Sequence, residues 1–525
     1  MVASPHSLAS AAGVDALRAG GSAVDAAVAT GAALSVLYPH MTSVGGDAFW
    51  LVYDARTRRV RYLNGGGCAA RGAGIDWFRA RGMKEVPLRG FLPATLTTPG
   101  AVASWCAAHE EYGRLPLSRD LAAAIGYARE GFPVTGRLAR AIELHASDGS
   151  LNAGALAIFA PGGAVPRAGD KLVNGGLALV LERIAQGGRE GFYGGETARS
   201  LAAFARAGGG FFDEVDLSAQ RASWGEPLSG SYRGIEILET PPPTQGFTVI
   251  QMLNLVETAE VGRMDPLGPE LVHTLVQAKQ IAYHDRDRLL ADPEFQPVPV
   301  EKLISKDYAA ERRRLMRADR VLPWDLVPSY GTLAGDTVFV CAVDAEGSAA
   351  ALIQSLYFTF GSGVVAGDTG IVLQNRSAYF SLDPQHPNRL EPCKRPMHTL
   401  IASMALKEGQ LRHVLGCMGA DGQPQIHLQT YVDMVDFGFD VQQALEMPRW
   451  LSGRFNIGDP RDLLNMEGRF PDATIRDLER RGHAVNRWPD WCELAGHAHG
   501  ITIDPLSSIR TGGADPRSDG AAAGY

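Results

Sequence analysis

The stretch Gly335-Asp336-Thr337-VFVCAVD-AEGS-AAALIQSLYF, residues 335 to 358, decides the fold. VFVCAVD and AAALIQSLYF are two short β-prone runs separated by the turn residues Ala345-Glu346-Gly347-Ser348, the pattern of a hairpin. The glycine-rich Gly361-Ser362-Gly363-Val364-Val365 follows. Ser355 lies eighteen residues after Thr337 on the return strand, and strands of about ten residues bring its hydroxyl back beside the threonine. A threonine at the head of an internal strand becomes an N-terminal nucleophile if the chain cuts its own Asp336–Thr337 bond. Its hydroxyl can then attack an acyl carbon while its own α-amine, with a pKa of about 8, takes the proton. No histidine–carboxylate triad is needed for that chemistry.

Outward from this stretch, the composition is that of a large globular enzyme. With 525 residues, 45% of them hydrophobic, the chain can bury roughly three quarters of its unfolded surface, so neither disulfides nor a metal is required to build a core. A net charge of -8 argues against nucleic acid or an anionic membrane as partner. Arg312-Arg313-Arg314 is interleaved with acidic residues and reads as a solvated helix face. The six cysteines form no C-x-x-C pair and read as buried thiols, and the closest histidines, His497 and His499, lack Cys or acidic companions at ligand spacing. The expectation is therefore no metal and no cofactor. Gly65-Gly66-Gly67, Gly208-Gly209-Gly210 and GSGVVAGDTG lack the lysine and the strand–loop–helix order of a phosphate loop and read as turns. Ala23 to Tyr38 is interrupted by Asp25 and reads as a packed helix, not a membrane span. No basic segment leads into an apolar one after Met1, so a cytoplasmic location is expected.

Two Ala-rich helices are predicted over residues 7–38, broken at Gly20-Gly21, and then a hairpin in FWLVYDARTRRVRYLN turning at Asp54-Ala55-Arg56-Thr57. Helical patterns dominate from Leu117 to Ala207, YRGIEILETP (232–241) reads as strand, and a helix pair spans about 244 to 290. Val321 to Gly335 is rich in Pro, Gly and polar residues without periodicity, which suits an exposed segment ending at a scissile bond. Further helices are predicted near Gln425–Val435 and Ala473–Arg481.

Taken in order, MVAS, GGSAVDAAVATG, SVGGDAFWLV, TPGAVASW, ETPPPTQGFTVIQML, GDTVFVCAVDAEG, FGSGVV, GIVLQNR, KRPMHTL and the terminal ADPRSDGAAAGY resemble the γ-glutamyltransferase family of N-terminal-nucleophile hydrolases over nearly the whole chain. The resemblance implies an α/β (α+β) four-layer αββα sandwich. It also implies a precursor that cuts itself into a large subunit, residues 1–336, and a small subunit, 337–525, which together form one folded unit. Thr337 is then both the processing residue and the nucleophile, and Ser355 corresponds to a residue that hydrogen-bonds it. Gly419 and Ala420 match the loop whose backbone N–H groups form the oxyanion hole, with Ala420 in place of a second glycine. His398 and Thr399 match an acyl-pocket position where two serines are usual.

The departures from the family pattern sort the functions. The family's large-subunit arginine, which grips the substrate α-carboxylate, has no counterpart in Asn64-Gly65-Gly66-Gly67. Tyr357 and Tyr379 stand for the asparagine and aspartate that hold the α-carboxylate and α-amine, and Arg376 replaces a glutamine between them. Arg376, Tyr357, Tyr379 and His398 suit a carboxylate without an adjacent amine. The leading expectation is a self-processing amidohydrolase or acylase acting on a small amide of oxamate or glutaryl type, its partners being the two fragments of one precursor, with a homodimer as an option. One alternative is a γ-glutamyl transferase or hydrolase with a rebuilt pocket. The other is an uncleaved, non-enzymatic ligand-binding homologue, because Val338 and Phe339 replace the usual threonine and histidine after the nucleophile.

Overall fold

The computed structural model describes residues 1–89, 92–324, 335–455 and 458–525. Asp336–Val343 and Ala349–Tyr357 are antiparallel strands joined by the expected turn. Pairing is regular from Ala349↔Val343 to Gln354↔Val338 and then jumps to Tyr357↔Asp336, so Ser355 and Leu356 together oppose the single residue Thr337. This is a β-bulge, which leaves backbone groups unpaired and re-aims a side chain.

Both strands are buried along almost their whole length, which their Val, Ile, Phe and Ala content allows, because each face meets another layer. They sit in the middle of a seven-stranded sheet in the order Ala521–Ala523, Val2–Ser4, Asp336–Val343, Ala349–Tyr357, Asp47–Asp54, Arg59–Gly65, Ser223–Gly225. Residues from both sides of the Asp336–Thr337 bond thus supply neighbouring strands. A six-stranded sheet faces it, ordered Arg510–Ala514, Ala498–Ile503, Gln410–Cys417, Ala402–Lys407, Ile235–Glu239, Leu228–Tyr232. Phe49, Leu51, Phe339 and Ile353 of the first sheet pack against Met404, Val414 and Ile501 of the second. A Cβ built on Gly416 would lie 2.3 Å from the Phe339 ring, so this position needs a glycine for the sheets to close.

Helices cover both outer faces. Ala23–Leu37 and Ala101–Tyr112 pack on the first sheet through alanines small enough to bring helix and sheet close, against Val338, Val340 and Leu352. Phe247–Val256, Pro269–Leu289 and Gln423–Val435 pack on the second against Ile237, Ala405 and Leu415. The result is the four-layer αββα arrangement.

The helices at Ser7–Arg18 and Ala23–Leu37, the hairpin Asp47–Asp54/Arg59–Gly65, and the helix Asp472–Arg480 stand where the sequence predicts them. YRGIEILETP does not form one strand. It turns at Arg233 and Gly234, both with positive φ, and pairs Leu228–Tyr232 with Ile235–Glu239. An arginine in that conformation carries no turn signal in the sequence. Most of the Val321–Gly335 segment lies outside the described residues. All six cysteines are free, but only Cys341, Cys417 and Cys492 are buried as expected; Cys68 and Cys106 are partly buried, and Cys393 is exposed in a surface turn at φ 62°. Among the described residues no helix is long and apolar enough to cross a membrane.

Candidate active site

The bulge brings Ser355 onto the Asp336–Thr337 peptide. Ser355 Oγ lies 2.6 Å from the Asp336 carbonyl oxygen, 2.7 Å from Tyr357 N and 3.1 Å from Arg376 Nη2. A hydroxyl has one proton and two lone pairs. The Tyr357 N–H and the Arg376 guanidinium donate to the lone pairs, so the Ser355 proton is directed at the Asp336 carbonyl. Tyr357 holds its place at φ 85°, a strained conformation for a bulky residue and one met mostly at functional positions. Ser355 was expected to touch Thr337. In the uncut chain its hydroxyl instead meets the carbonyl of the preceding residue.

Arg376 opens a short 3₁₀ turn, Arg376–Tyr379, and is fully buried. Its Nη1 donates to Thr399 Oγ1 at 3.0 Å, and its guanidinium carbon lies 4.6 Å from the Tyr357 ring centre and 5.8 Å from that of Tyr379. Among the described residues no carboxylate comes within 4.0 Å of it, and its Nε has no hydrogen-bond partner. Burial lowers its pKa, while Tyr379 and Asp47 pull it back up.

The sequence reading missed Asp47, the first residue of its strand and fully buried. Its Oδ1 accepts from Gly67 N at 2.9 Å and Gly100 N at 3.0 Å, while Oδ2 lies 3.6 Å from His398 Nε2 without a hydrogen bond. A Cβ on Gly67 would sit 1.7 Å from the Thr98 carbonyl oxygen. The Gly65–Gly67 stretch therefore does not supply an arginine; it lets two backbone segments close around a carboxylate. Burial pushes Asp47 up to about 7, against the pull of Arg376 and the two amides. His398 is also fully buried, and burial, then Arg376 and Arg395, hold its pKa well below the usual value, so the imidazole is neutral.

The Gly416–Ala420 stretch ends in a turn with Gly419 at φ 145° and Ala420 at φ 45°. It touches the cleavage segment: a Cβ on Gly335 would come within 2.9 Å of Ala420 Cβ. Gln245, from the PPPTQGF motif, clamps this turn by donating from Nε2 to the Ala420 carbonyl at 3.0 Å and to the Thr399 carbonyl at 2.9 Å. Arg286 donates to Gln245 Oε1 at 2.7 Å and pairs with Asp421, which also accepts from the Tyr379 hydroxyl at 3.0 Å. Gln245, Arg286 and Asp421 thus hold the Gly419-Ala420 turn and Tyr379 together, and only the charged interruption HDRD in an otherwise apolar helix pattern hinted at this. A cavity of about 270 Å³ borders the Asp336 side of the Gly419 turn, lined in part by Gly335, Asp336, Thr359, Met418, Gly419 and Phe455; Arg376, Tyr357, Tyr379, His398 and Thr399 are not among its lining residues. Asp336 accepts from the Thr359 hydroxyl, and burial pushes its carboxyl up to about 7.

The chain matches the family model of gamma-glutamyltranspeptidase over residues 9–525. It belongs to the γ-glutamyltranspeptidase family. The glutathione hydrolase-like YwrD proenzyme of Bacillus subtilis is 40% identical over 100% of this chain and 98% of its own length. The oxamate amidohydrolase proenzyme of Klebsiella pneumoniae is 38% identical over 100% of this chain and 98% of its own. Among solved structures, a cephalosporin acylase from Bacillus halodurans superposes with a TM-score of 0.92 at 36% identity, covering 100% of this chain and 95% of that one. The chain is accordingly a γ-glutamyltranspeptidase-family amidohydrolase, and an N-terminal threonine nucleophile is what that membership leads one to expect.

Proposed function

We propose that the chain cuts itself between Asp336 and Thr337 and that the freed Thr337 then hydrolyses an amide whose acyl part ends in a carboxylate, of oxamate or glutaryl type. In the first stage the Thr337 hydroxyl adds to the Asp336 carbonyl carbon. The C–N bond breaks, the nitrogen takes the proton, and water hydrolyses the resulting ester to leave a free α-amine. In the second stage that amine accepts the hydroxyl proton as Thr337 attacks the substrate amide, and the amine product leaves with the proton; water, giving up a proton to the same α-amine, then cleaves the acyl ester, releasing the acid and restoring the Thr337 hydroxyl. The Ser355 hydroxyl and the backbone N–H groups of Gly419 and Ala420 are the proposed donors to the developing oxyanion.

The observation that carries the substrate class is Arg376. A guanidinium fully buried with no carboxylate within ion-pair distance among the described residues, next to the Ser355 hydroxyl, is poised for an anion, and its planar fork matches a carboxylate. His398 and Thr399 line the same wall, with Tyr357 and Tyr379 stacking beside it. The names of two relatives, oxamate amidohydrolase and cephalosporin acylase, agree with this class.

A second reading, γ-glutamyl hydrolysis, has its own support. Asp47 Oδ2 has no hydrogen-bond donor and could take an α-ammonium, and one relative is named glutathione hydrolase-like. Side-by-side assays on oxamate, glutaryl p-nitroanilide, γ-glutamyl p-nitroanilide and glutathione separate the two. The first reading expects higher kcat/KM on the first pair and a raised KM in Arg376→Gln. Efficient glutathione hydrolysis that Arg376→Gln leaves unchanged would replace it by the second.

A further inference from the structure

The helix Ala23–Leu37, which backs the central hairpin, begins in a group of acidic side chains that the amidase chemistry does not use. Asp25 Oδ2 accepts from Ser22 N at 2.6 Å and Arg114 N at 2.8 Å, while its Oδ1 receives only the longer contact from Leu115 N at 3.4 Å. His109, in the last turn of Ala101–Tyr112, places Nε2 3.7 Å from Asp25 Oδ1, 3.6 Å from Asp120 Oδ2 and 2.7 Å from the Leu115 carbonyl oxygen. Asp25, His109 and Asp120 each offer a donor atom within 4.8 Å of the others. The group lies toward the turn end of the central hairpin, where Ala23 N donates to Asp344 Oδ2 at 3.3 Å, opposite to the Thr337 end.

Asp120 is the anomaly in this group. It is 1% exposed, and among the described residues neither of its carboxylate oxygens has a hydrogen-bond partner. An ionised carboxylate taken out of water without donors costs several kcal/mol, and a second buried carboxylate beside it raises that cost. Either a proton or a cation must compensate. Burial, and then Asp25, push the Asp120 carboxyl up to about 9, which states the same difficulty from the side of the proton.

We propose that Asp25, His109 and Asp120 bind a divalent cation of the zinc class, with the Leu115 carbonyl as fourth donor. A tetrahedral centre with metal–ligand bonds of about 2.1 Å spaces its donors roughly 3.4 Å apart. The observed separations of 3.6 and 3.7 Å from His109 Nε2 to the two carboxylates are close to that value, and the 2.7 Å to the Leu115 carbonyl, a hydrogen-bond length, has to open by about 0.7 Å to reach it. Two carboxylates, one imidazole and one carbonyl are too few oxygens for calcium, which takes six to eight. The imidazole binds through Nε2 after moving its proton to Nδ1, which releases the Leu115 carbonyl to the ion. The ring is partly exposed, which gives the ion a way in. An ion there ties the start of the helix Ala23–Leu37 to the end of Ala101–Tyr112 and to Leu117–Asp120. It is a staple, with no part in the amide chemistry.

The test uses the full chain, freed of metal with a chelator, exchanged into metal-free buffer and titrated with zinc chloride. Bound metal is counted by elemental analysis and unfolding is followed by circular dichroism. The proposal expects one zinc ion per chain, a zinc-dependent rise of several degrees in Tm, and loss of both in folded Asp120→Asn and His109→Gln. A well-folded wild type that retains far less than one zinc ion per chain and melts at the same temperature with and without zinc overturns it. So does a wild-type Tm that falls between about pH 4 and pH 9 regardless of zinc and loses much of that fall in Asp120→Asn, because a proton held on Asp120 would then be the compensation.

Discussion

Ser355→Ala removes one oxygen and three hydrogen bonds, and the three have separable consequences. The bond to the Asp336 carbonyl, at 2.6 Å, is the one that serves the cleavage reaction. Loss of a preorganised donor to a developing oxyanion costs about 3 kcal/mol, or roughly 10²–10³ in rate. The other two, from Tyr357 N and Arg376 Nη2, leave buried donors unpaired, which costs about 1–3 kcal/mol of stability apiece and does not by itself slow the reaction. Freshly purified protein, incubated and sampled over time on denaturing gels, measures the first effect, and denaturant unfolding of the uncut chain measures the second. Ser355→Ala should be folded, somewhat less stable, and cut roughly 10²–10³ times more slowly than wild type, while Ser355→Thr, which keeps the hydroxyl, recovers much of the rate. A folded Ser355→Ala protein that is cut at the wild-type rate would refute the idea that this hydroxyl polarises the scissile carbonyl.

Two further outcomes follow from buried positions near the site. Asp47 has its carboxyl pushed up to about 7, above the value of about 3.9 it has in an unfolded chain. A raised acid contributes stability that is present below pH 4 and lost as pH rises toward 7. Asp47→Asn should therefore soften the decline of Tm between those limits, leaving the share due to Asp336, which titrates in the same window; identical profiles in the two proteins would show that Asp47 does not titrate there. Gly416→Ala puts a Cβ 2.3 Å from the Phe339 ring between the two sheets, an overpacking that costs about 1–3 kcal/mol; an unchanged denaturant midpoint would contradict the close approach of the sheets.

What the sequence made legible was local. The central hairpin could be read because two apolar runs flank an obvious turn, and the Ala-rich helices because Gly20-Gly21 separates two alanine-rich runs. The bulge that sets two residues against Thr337 depends on strand register, which residue types do not encode. The turn at Arg233-Gly234 escaped because one of its positions is an arginine at positive φ. In the site, Thr337, Ser355 and Arg376 stood out through their place in recognisable motifs. Asp47 did not, because its role comes from Gly67 and Gly100, two glycines distant in sequence that close around it only in the fold. The Asn64–Gly67 stretch showed only a missing arginine, whereas its structural meaning is this close approach. Asp25 lies far along the chain from His109 and Asp120, and the three show none of the spacing by which metal sites are recognised.

The central claim is that the chain cuts itself immediately before Thr337. Intact mass and N-terminal sequencing of the purified protein test it directly. The account predicts two fragments held together under native conditions, residues 1–336 and 337–525, the smaller beginning Thr-Val-Phe-Val, and a Thr337→Ala protein that stays whole at 56.1 kDa. A wild-type chain that remains a single species on long incubation, a cut at another bond, or a cut in Thr337→Ala would contradict it.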